Sequence, residues 1–266
     1  MRPYLSFFKL RFATGLQYRF SAIAGLATQF FWGIMMIFIY EAFYQNGVST
    51  PMNWQELVSY IWLGQAFFAL LFFRVTDHDI MESIRSGQVA YEFVKPLNLY
   101  WMWFSKIIAK RLSAGFLRFI PVIVVALLLP QNYSLKGPIS LEGLLLFIIT
   151  MILGLIISTA LAMIIHALMF FTTTSKGLFN IYGNLADFLS GMIIPIAFMP
   201  VAMQTICYIF PFRLCMDLPM RLYVGNIPEI EGLQTILVQI AWILALVSFG
   251  NFMMKKVSKK LVVQGG

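Results

Sequence analysis

Three polar residues in an otherwise apolar stretch are the first candidates for a functional site. Asn180, Asn184 and Asp187 lie at positions i, i+4 and i+7, a spacing that places them on one face of an α-helix. Polar groups are costly in hydrocarbon unless they face protein or water. The pattern predicts a pathway wall or a polar seam at a dimer interface. The alternative is hydrogen bonding between helices without a further role.

The chain lacks the sequence signatures that are typical of enzymes. It contains no GxxxxGK[ST] phosphate loop, no HExxH metal motif and no GxSxG nucleophile elbow. His166 has no second histidine or carboxylate at ligand spacing, which favours a packing role. His78, between Asp77 and Asp79, is expected to be solvated, with a metal site as the less favoured alternative. We therefore predict no catalytic residue, no metal and no cofactor in this chain.

The longest polar interval is formed by residues 77–100, which hold four of the eleven acidic residues. Its first part fits a helix with Ile80 and Ile84 on one face. Ser86-Gly87 is expected to end this helix, because glycine adopts the left-handed conformation readily. Lys95-Pro96 then requires an extended or turning backbone. The pattern predicts a shaped loop between two apolar blocks, which is either a contact surface for a partner or an ordinary solvated loop.

Several short motifs, in this order, resemble the permeases of type-2 ATP-binding-cassette (ABC) exporters. The resemblance covers nearly the whole chain, and each motif is weak by itself. The motifs are Ile84-Arg85-Ser86-Gly87, Phe93-Val94-Lys95-Pro96-Leu97-Asn98, Ser190-Gly191-Met192-Ile193-Ile194-Pro195, Met199-Pro200, Phe210-Pro211-Phe212, Pro219, Tyr223-Val224-Gly225 and the ending Val263-Gln264-Gly265-Gly266.

The resemblance implies an assembly of two permease halves and two separate ABC ATPase subunits, in which the second half is an identical or a different permease. It also implies that the first cytosolic loop contacts the ATPase. On this basis the expected ATPase-coupling residues are Ile80, Glu82, Ile84, Arg85, Ser86, Gly87, Lys95 and Pro96. The expected pathway or dimer-interface residues are Asn180, Asn184 and Asp187.

The composition is that of a polytopic membrane protein. Of the 266 residues, 60% are hydrophobic and 11% are charged, against roughly 25% charged residues in soluble domains. The mean hydropathy is +0.82. The net charge of +8 is explained by the positive-inside rule and anionic lipid rather than by nucleic acid. The two cysteines, Cys207 and Cys215, are expected to pack in the core, and a bridge between them is the alternative.

These candidates must be positioned by helices, and we predict an all-α integral membrane protein. An interfacial elbow helix at 1–20, with an apolar stripe and basic residues, precedes a transmembrane domain at 21–266. No cleavable signal peptide is evident. A cytosolic coupling loop covers 74–111, including an interfacial segment at 101–111, and an external re-entrant region covers 195–232. The six predicted spans are 21–43, 57–73, 113–129, 144–171, 178–194 and 234–254.

The distribution of basic residues predicts the topology and, with the resemblance, the function. With both termini in the cytosol, all of the 19 Lys and Arg except Lys136, Arg213 and Arg221 lie on or near the cytosolic side. The expected function is ATP-driven export of an amphipathic or apolar substrate (a drug, peptide, lipid or glycan) across the plasma membrane. The alternatives are a membrane-embedded lipid-modifying enzyme that uses Asp187 and His166, and an ion-coupled secondary transporter.

Overall fold

The computed structural model describes residues 2–17, 19–46, 50–74, 77–172 and 175–258, and every regular element within them is helical. The predicted all-α class is therefore confirmed for these ranges. Short 3-10 turns lie at Met169–Phe171, Ile196–Phe198 and Pro211–Leu214. The α-helices are α1 (Arg2–Gln17), α2 (Arg19–Gln45), α3 (Trp54–Leu71), α4 (His78–Arg85), α5 (Val89–Phe93), α6 (Leu99–Leu128), α7 (Leu141–Leu168), α8 (Ser175–Leu189), α9 (Val201–Ile209), α10 (Asp217–Val224) and α11 (Glu229–Ser258).

Four helices in the described ranges are long and apolar enough to cross a membrane, which makes the chain a multi-pass membrane protein. They lie at Ala22–Gln45, Leu99–Leu128, Leu141–Phe171 and Glu229–Val257, and they correspond to the first, third, fourth and sixth predicted spans. The helices at the second and fifth predicted spans are shorter. α3 has 18 residues and α8 has 15, or about 27 and 22 Å at 1.5 Å per residue. The count of six spans stays a prediction.

The third predicted span and the segment before it form one helix, which corrects the expected boundary between 101–111 and 113–129. α6 runs for 30 residues without a break. Arg111 lies within it and is fully buried in the protein. Its guanidinium donates to the Leu70 carbonyl near the end of α3 and to the Ser158 hydroxyl, both at 3.3 Å. A cation is stabilised at the C-terminus of a helix, so Arg111 joins α3, α6 and α7.

The N-terminal helix α1 packs lengthwise against the first half of α6. At one end, the Asn98 amide donates to the Tyr4 hydroxyl oxygen at 3.0 Å. At the other end, a Cβ on Gly15 would lie 2.1 Å from the Ser113 hydroxyl oxygen, so the glycine permits close contact. The elbow helix predicted at 1–20 is therefore observed at Arg2–Gln17. Its location in the membrane interface stays a prediction.

Arg11 connects α1 to the start of α4. Its guanidinium binds the Asp79 carboxylate, and it also donates to Asp77 at 3.3 Å. The Asp77 carboxylate is buried and additionally accepts from the backbone amides of Asp79 and Ile80 as the N-cap of α4. The hydrogen bond from Arg11 lowers the pKa of Asp79 below its ordinary value. The ion pair between Arg11 and Asp79 is therefore fully formed above the ordinary pKa of an aspartate. It is lost only as the pH falls through the lowered pKa of Asp79.

We expect Arg11→Gln to loosen α4 without unfolding the membrane helices. The substitution removes the cationic partner of Asp77, whose buried carboxylate then keeps only its two backbone amide donors, at a cost of about 1–2 kcal/mol. Amide hydrogen exchange of residues 78–85 should accelerate, whereas exchange in α7 should be unchanged. Lys9→Gln, at an exposed position of the same helix, is the matched control. Equal exchange in both variants would contradict the proposed connection.

The region after α8 contains short helices around a buried acid. α9 has nine residues, about 14 Å, and is too short to cross a membrane. α10 is largely buried and lies within the region predicted at 195–232. Its Asp217 accepts from the Tyr60 hydroxyl at 3.1 Å and from the Ile196 amide at 3.4 Å. This carboxylate fixes the chain around Pro195, where a re-entrant segment was predicted. Re-entry itself stays a prediction.

The predicted topology places Lys136, Arg213 and Arg221 away from the cytosol, and the last two have structural partners in this region. Arg221 lies 3.5 Å from the Asp217 carboxylate. The Arg213 guanidinium stacks on the Tyr208 ring at 3.7 Å from its centroid. Cys207 and Cys215 are buried and free, as their predicted packing role requires.

Candidate functional site

The polar face predicted on the fifth span binds an arginine that follows α3. Arg74 Nε donates to Asp187 Oδ2 at 2.5 Å, and Arg74 Nη2 donates to Asn184 Oδ1. The shared face of Asn184 and Asp187 is therefore confirmed, since one guanidinium reaches both. Asn180 lies on the same helix and is exposed. A Cβ on Gly183 would lie 2.6 Å from Arg74 Cγ, so this glycine makes room for the arginine.

Arg74 was not among the residues singled out from the sequence. It lies next to the predicted boundary of the second span, where a basic residue is explained by topology alone. The signal that could have identified it is Asp187, a carboxylate in an apolar segment that requires a cationic partner. Asp187 is buried and its second oxygen, Oδ1, has no hydrogen-bond partner within the described residues.

Asp187 lies in the wall of a cavity of about 550 Å³, here called the polar cavity. Cavities of about 300–1,000 Å³ are typical of small-molecule sites. The lining combines charged and amide side chains with large apolar ones. The lining residues are Gly25, Thr28, Gln29, Trp32, Met36, Gln65, Phe68, Arg74, Arg118, Asp187, Met192 and Ile193.

A second, apolar groove adjoins the polar cavity along α2. This outer groove has a volume of about 830 Å³, and it shares Met36 and Ile193 with the polar cavity. Its other lining residues are Ile39, Tyr40, Phe43, Thr50, Pro51, Ile194, Ala197 and Phe198. From Gly25 to Phe43 the two spaces follow α2 for about 27 Å, close to the ~30 Å thickness of a hydrocarbon core. Charged and amide side chains line the polar cavity, and none occurs among the described lining residues of the outer groove.

The predicted helix at the start of the polar loop is confirmed as α4. Asp77 is its N-cap and Ser86 its C-cap. Gly87 follows with φ +75°, the left-handed conformation that the sequence predicted for the end of this helix. The backbone then turns again before α6, where the Leu97 amide donates to the Lys95 carbonyl at 2.7 Å. The corner predicted at Lys95-Pro96 is therefore present.

The two faces of α4 have different environments, which corrects one expected contact residue. Glu82, Arg85 and Ser86 are exposed and Ile84 is half-buried. Ile80 is only 2% exposed and packs in a core cluster with Trp103 of α6. It therefore anchors the helix within this chain and does not supply an apolar contact to a partner. The misassignment arose because an apolar face on a short helix is equally suited to internal packing.

The two histidines have the environments that the sequence indicated. His166 is fully buried, with Nδ1 at 2.7 Å from the Ala162 carbonyl oxygen and its ring beside Trp103 and Phe179. His78 is exposed at the start of α4. No group of three or more His, Cys, Asp or Glu side chains able to hold a metal occurs in the described parts of the chain.

Comparison with known proteins identifies the family to which this arrangement belongs. The model of the ABC-2 family transporter proteins matches residues 30–265, which is most of the chain. No curated protein and no solved structure gives a match. Permeases of this family generally work with an ABC ATPase, and they are the transport subunit rather than the catalytic one. The chain therefore belongs to the ABC-2 family and is a membrane permease of an ABC transporter.

Proposed function

We propose that this chain is one half of an ABC exporter that moves an amphipathic or apolar substrate out of the cytosol. In this proposal six segments cross the plasma membrane and both termini are cytosolic. A second permease, identical or different, completes the pathway, and two ABC ATPase subunits supply the energy. Binding of ATP must favour one arrangement of the permease over the other, since otherwise no movement results.

The observation that carries this proposal is the space along α2. The polar cavity and the outer groove adjoin each other at Met36 and Ile193, and together they extend over about the thickness of a hydrocarbon core. Both spaces are open at the surface of the described residues, and in this proposal a second half completes the wall. An amphiphile fits such a path, because its head group is accommodated at the polar end and its apolar body at the apolar end.

The cytosolic loop supplies the expected contact with the ATPase. The exposed face of α4 presents Glu82 and Arg85, which are three residues apart and adjacent on the helix surface. The remaining coupling residues are Ile84, Ser86, Gly87, Lys95 and Pro96. Arg11 and Ile80 fix α4 to α1 and α6, so a force on α4 is transmitted to the membrane helices.

The proposal predicts ATP-dependent movement of amphiphiles by the assembled complex. The permease would be purified from its native membrane together with any ATPase that remains bound. The complex would be reconstituted in liposomes with fluorescent alkyl amphiphiles that carry acidic, neutral or cationic head groups. We expect at least one class to move in an ATP-dependent manner, with the cytosolic side of the permease as the starting side. An ATPase variant unable to hydrolyse ATP is the control. Failure of any ATPase to copurify, or movement that follows an ion gradient instead, would contradict the proposal.

A further inference from the structure

The polar cavity contains a buried amide without a hydrogen-bond partner. Gln29 of α2 lines the cavity and is 3% exposed. Neither its amide nitrogen nor its amide oxygen has a partner within the described residues. Buried polar groups in proteins are nearly always hydrogen-bonded, so an unpaired amide beside a cavity indicates that something absent from the chain itself can bind there.

A second lining residue, Arg118 of α6, carries a charge without a carboxylate. None of the acidic groups in the described part of the chain lies within 4.0 Å of it, and its Nε has no hydrogen-bond partner. Its position is set by Gly25, where an added Cβ would lie 2.4 Å from Arg118 Cζ. Because Gly25 has no side chain, the Arg118 guanidinium lies directly against the backbone of α2 at the cavity wall.

The charged groups of the lining leave an excess of one positive charge. Arg74 and Asp187 form an ion pair, so each largely compensates the other. Arg118 is the remaining charged residue of the lining. A half-buried guanidinium and a buried amide are both donors with planar geometry. Carboxylate and phosphate oxygens are the acceptors that such a guanidinium binds best.

The remainder of the lining is apolar and continues into the outer groove. Trp32, Met36, Phe68 and Ile193 provide large hydrophobic surfaces next to the polar end. An apolar chain attached to the acidic group would extend along these residues. A cationic head group, in contrast, would meet the unpaired Arg118.

We propose that the polar cavity binds amphiphiles with a single acidic head group, which Arg118 and Gln29 recognise. The interpretation of the polar cavity as a substrate site rests on the proposed function, but binding to the cavity can be measured without the ATPase. The head group accepts from the Arg118 guanidinium and from the Gln29 amide, and the apolar body lies against Trp32 and Phe68. A carboxylate and a phosphate share the required chemistry, so a single-chain cytosolic amphiphile and a two-chain membrane lipid are both tested.

The experiment uses photo-crosslinking of the full-length chain in lipid nanodiscs. A diazirine-labelled fatty acid is compared with its uncharged methyl ester, and a diazirine-labelled phosphatidic acid is compared with the corresponding phosphatidylcholine. Labelling of residues 25–36 is mapped by mass spectrometry and divided by labelling at Phe249 and Phe252. These two exposed side chains of α11 serve as an internal reference for general contact with the probe. We expect the acidic member of at least one pair to label the cavity about tenfold more.

Substitutions of Arg118, Gln29 and Gly25 should selectively weaken the preference of the cavity for the acidic probe. Arg118→Gln should reduce the ratio of acidic to neutral labelling close to one, whereas Arg118→Lys should retain most of it. Gln29→Leu and Gly25→Ala should each reduce the ratio by about threefold, because one removes a donor and the other displaces the guanidinium. Arg2→Gln, at an exposed position of α1, makes the same charge change away from the cavity and should have no effect.

Three results would overturn the inference. The first is equal cavity labelling by the acidic and neutral members of both pairs, and the second is an acidic preference that survives Arg118→Gln. The third is an unchanged preference in Gln29→Leu; a changed oligomeric state in that variant would assign the unpaired amide to contact with a second permease. In each case, ATP-dependent transport of a neutral or cationic amphiphile would leave the proposed function intact, whereas loss of all ATP-dependent transport would contradict that function alone.

Discussion

Replacing Asp187 by leucine is expected to abolish transport and to lower the melting temperature of the permease. The substitution leaves the Arg74 guanidinium without its carboxylate at the wall of the polar cavity. Breaking a buried ion pair by removing one partner costs about 3–5 kcal/mol. The Arg74 side chain is 36% exposed, so solvent screens part of this cost and we expect about 2 kcal/mol. Asp187→Asn should be milder, because an amide oxygen still accepts from Arg74.

A double-mutant cycle separates the structural role of this pair from its role in the pathway. Arg74→Met with Asp187→Leu removes both charges, so the double variant should melt closer to the unmodified chain than Asp187→Leu does. Transport should remain impaired, because the polar end of the cavity has lost an acid and a base. Asn180→Leu, at the exposed position of the same helix, should leave the melting temperature unchanged. Recovery of transport in the double variant would show that the pair acts only as a structural link.

Local patterns in the sequence were sufficient to predict the features that depend only on residues close together in the chain. The spacing of Asn184 and Asp187 predicted their common face, and the pair Ser86-Gly87 predicted the end of α4. Both follow from helix geometry and from the conformational freedom of glycine. Neither requires information about distant parts of the chain.

Partners that are far apart in the sequence were not predicted. Arg74 and Asp187 are 113 residues apart, and Tyr60 and Asp217 are 157 apart. No periodicity connects such residues, because their contact depends on how complete helices pack. The contact between the Arg118 guanidinium and Gly25 could not be predicted for the same reason. A glycine in an apolar helix does not by itself indicate which side chain lies against it.

The continuity of α6 was missed for a different reason. Lys106, Lys110 and Arg111 within a few residues of each other indicate a membrane boundary when hydropathy is considered alone. In the structure, Lys106 pairs with Glu92 at 2.8 Å, and Arg111 binds carbonyl and hydroxyl oxygens of neighbouring helices. These side chains bind groups of the protein, and no glycine or proline lies between Leu99 and Ser113 to end a helix there. Ile80 shows the same limit, since its burial depends on contacts with α6.

Replacing Gly87 by valine is expected to uncouple ATP hydrolysis from transport while the permease still folds and inserts. Gly87 has φ +75°, a conformation in which L-residues cost about 1–2 kcal/mol and β-branched residues are outliers. An added Cβ would meet no atom within 4 Å, so the penalty is conformational rather than steric. The backbone should relieve it by changing the angle between α4 and α5. The exposed face of α4 would then be presented to the ATPase in the wrong orientation.

The measurement is the ratio of amphiphile-stimulated to basal ATPase activity in the reconstituted complex. A conformational cost of this size corresponds to about a tenfold loss of the competent arrangement, so stimulation should fall by a similar factor. Gly87→Asn should retain more stimulation, because asparagine tolerates the left-handed region. Gly137→Val is the matched control, since its added Cβ also meets open space and it is not among the glycines with positive φ. Normal stimulation in Gly87→Val, or crosslinks from the ATPase to other loops but none to residues 77–86, would remove α4 from the coupling surface. A loss in Gly87→Val alone, with unchanged expression and melting temperature, would place the turn after α4 in the transmission of force between the two subunits.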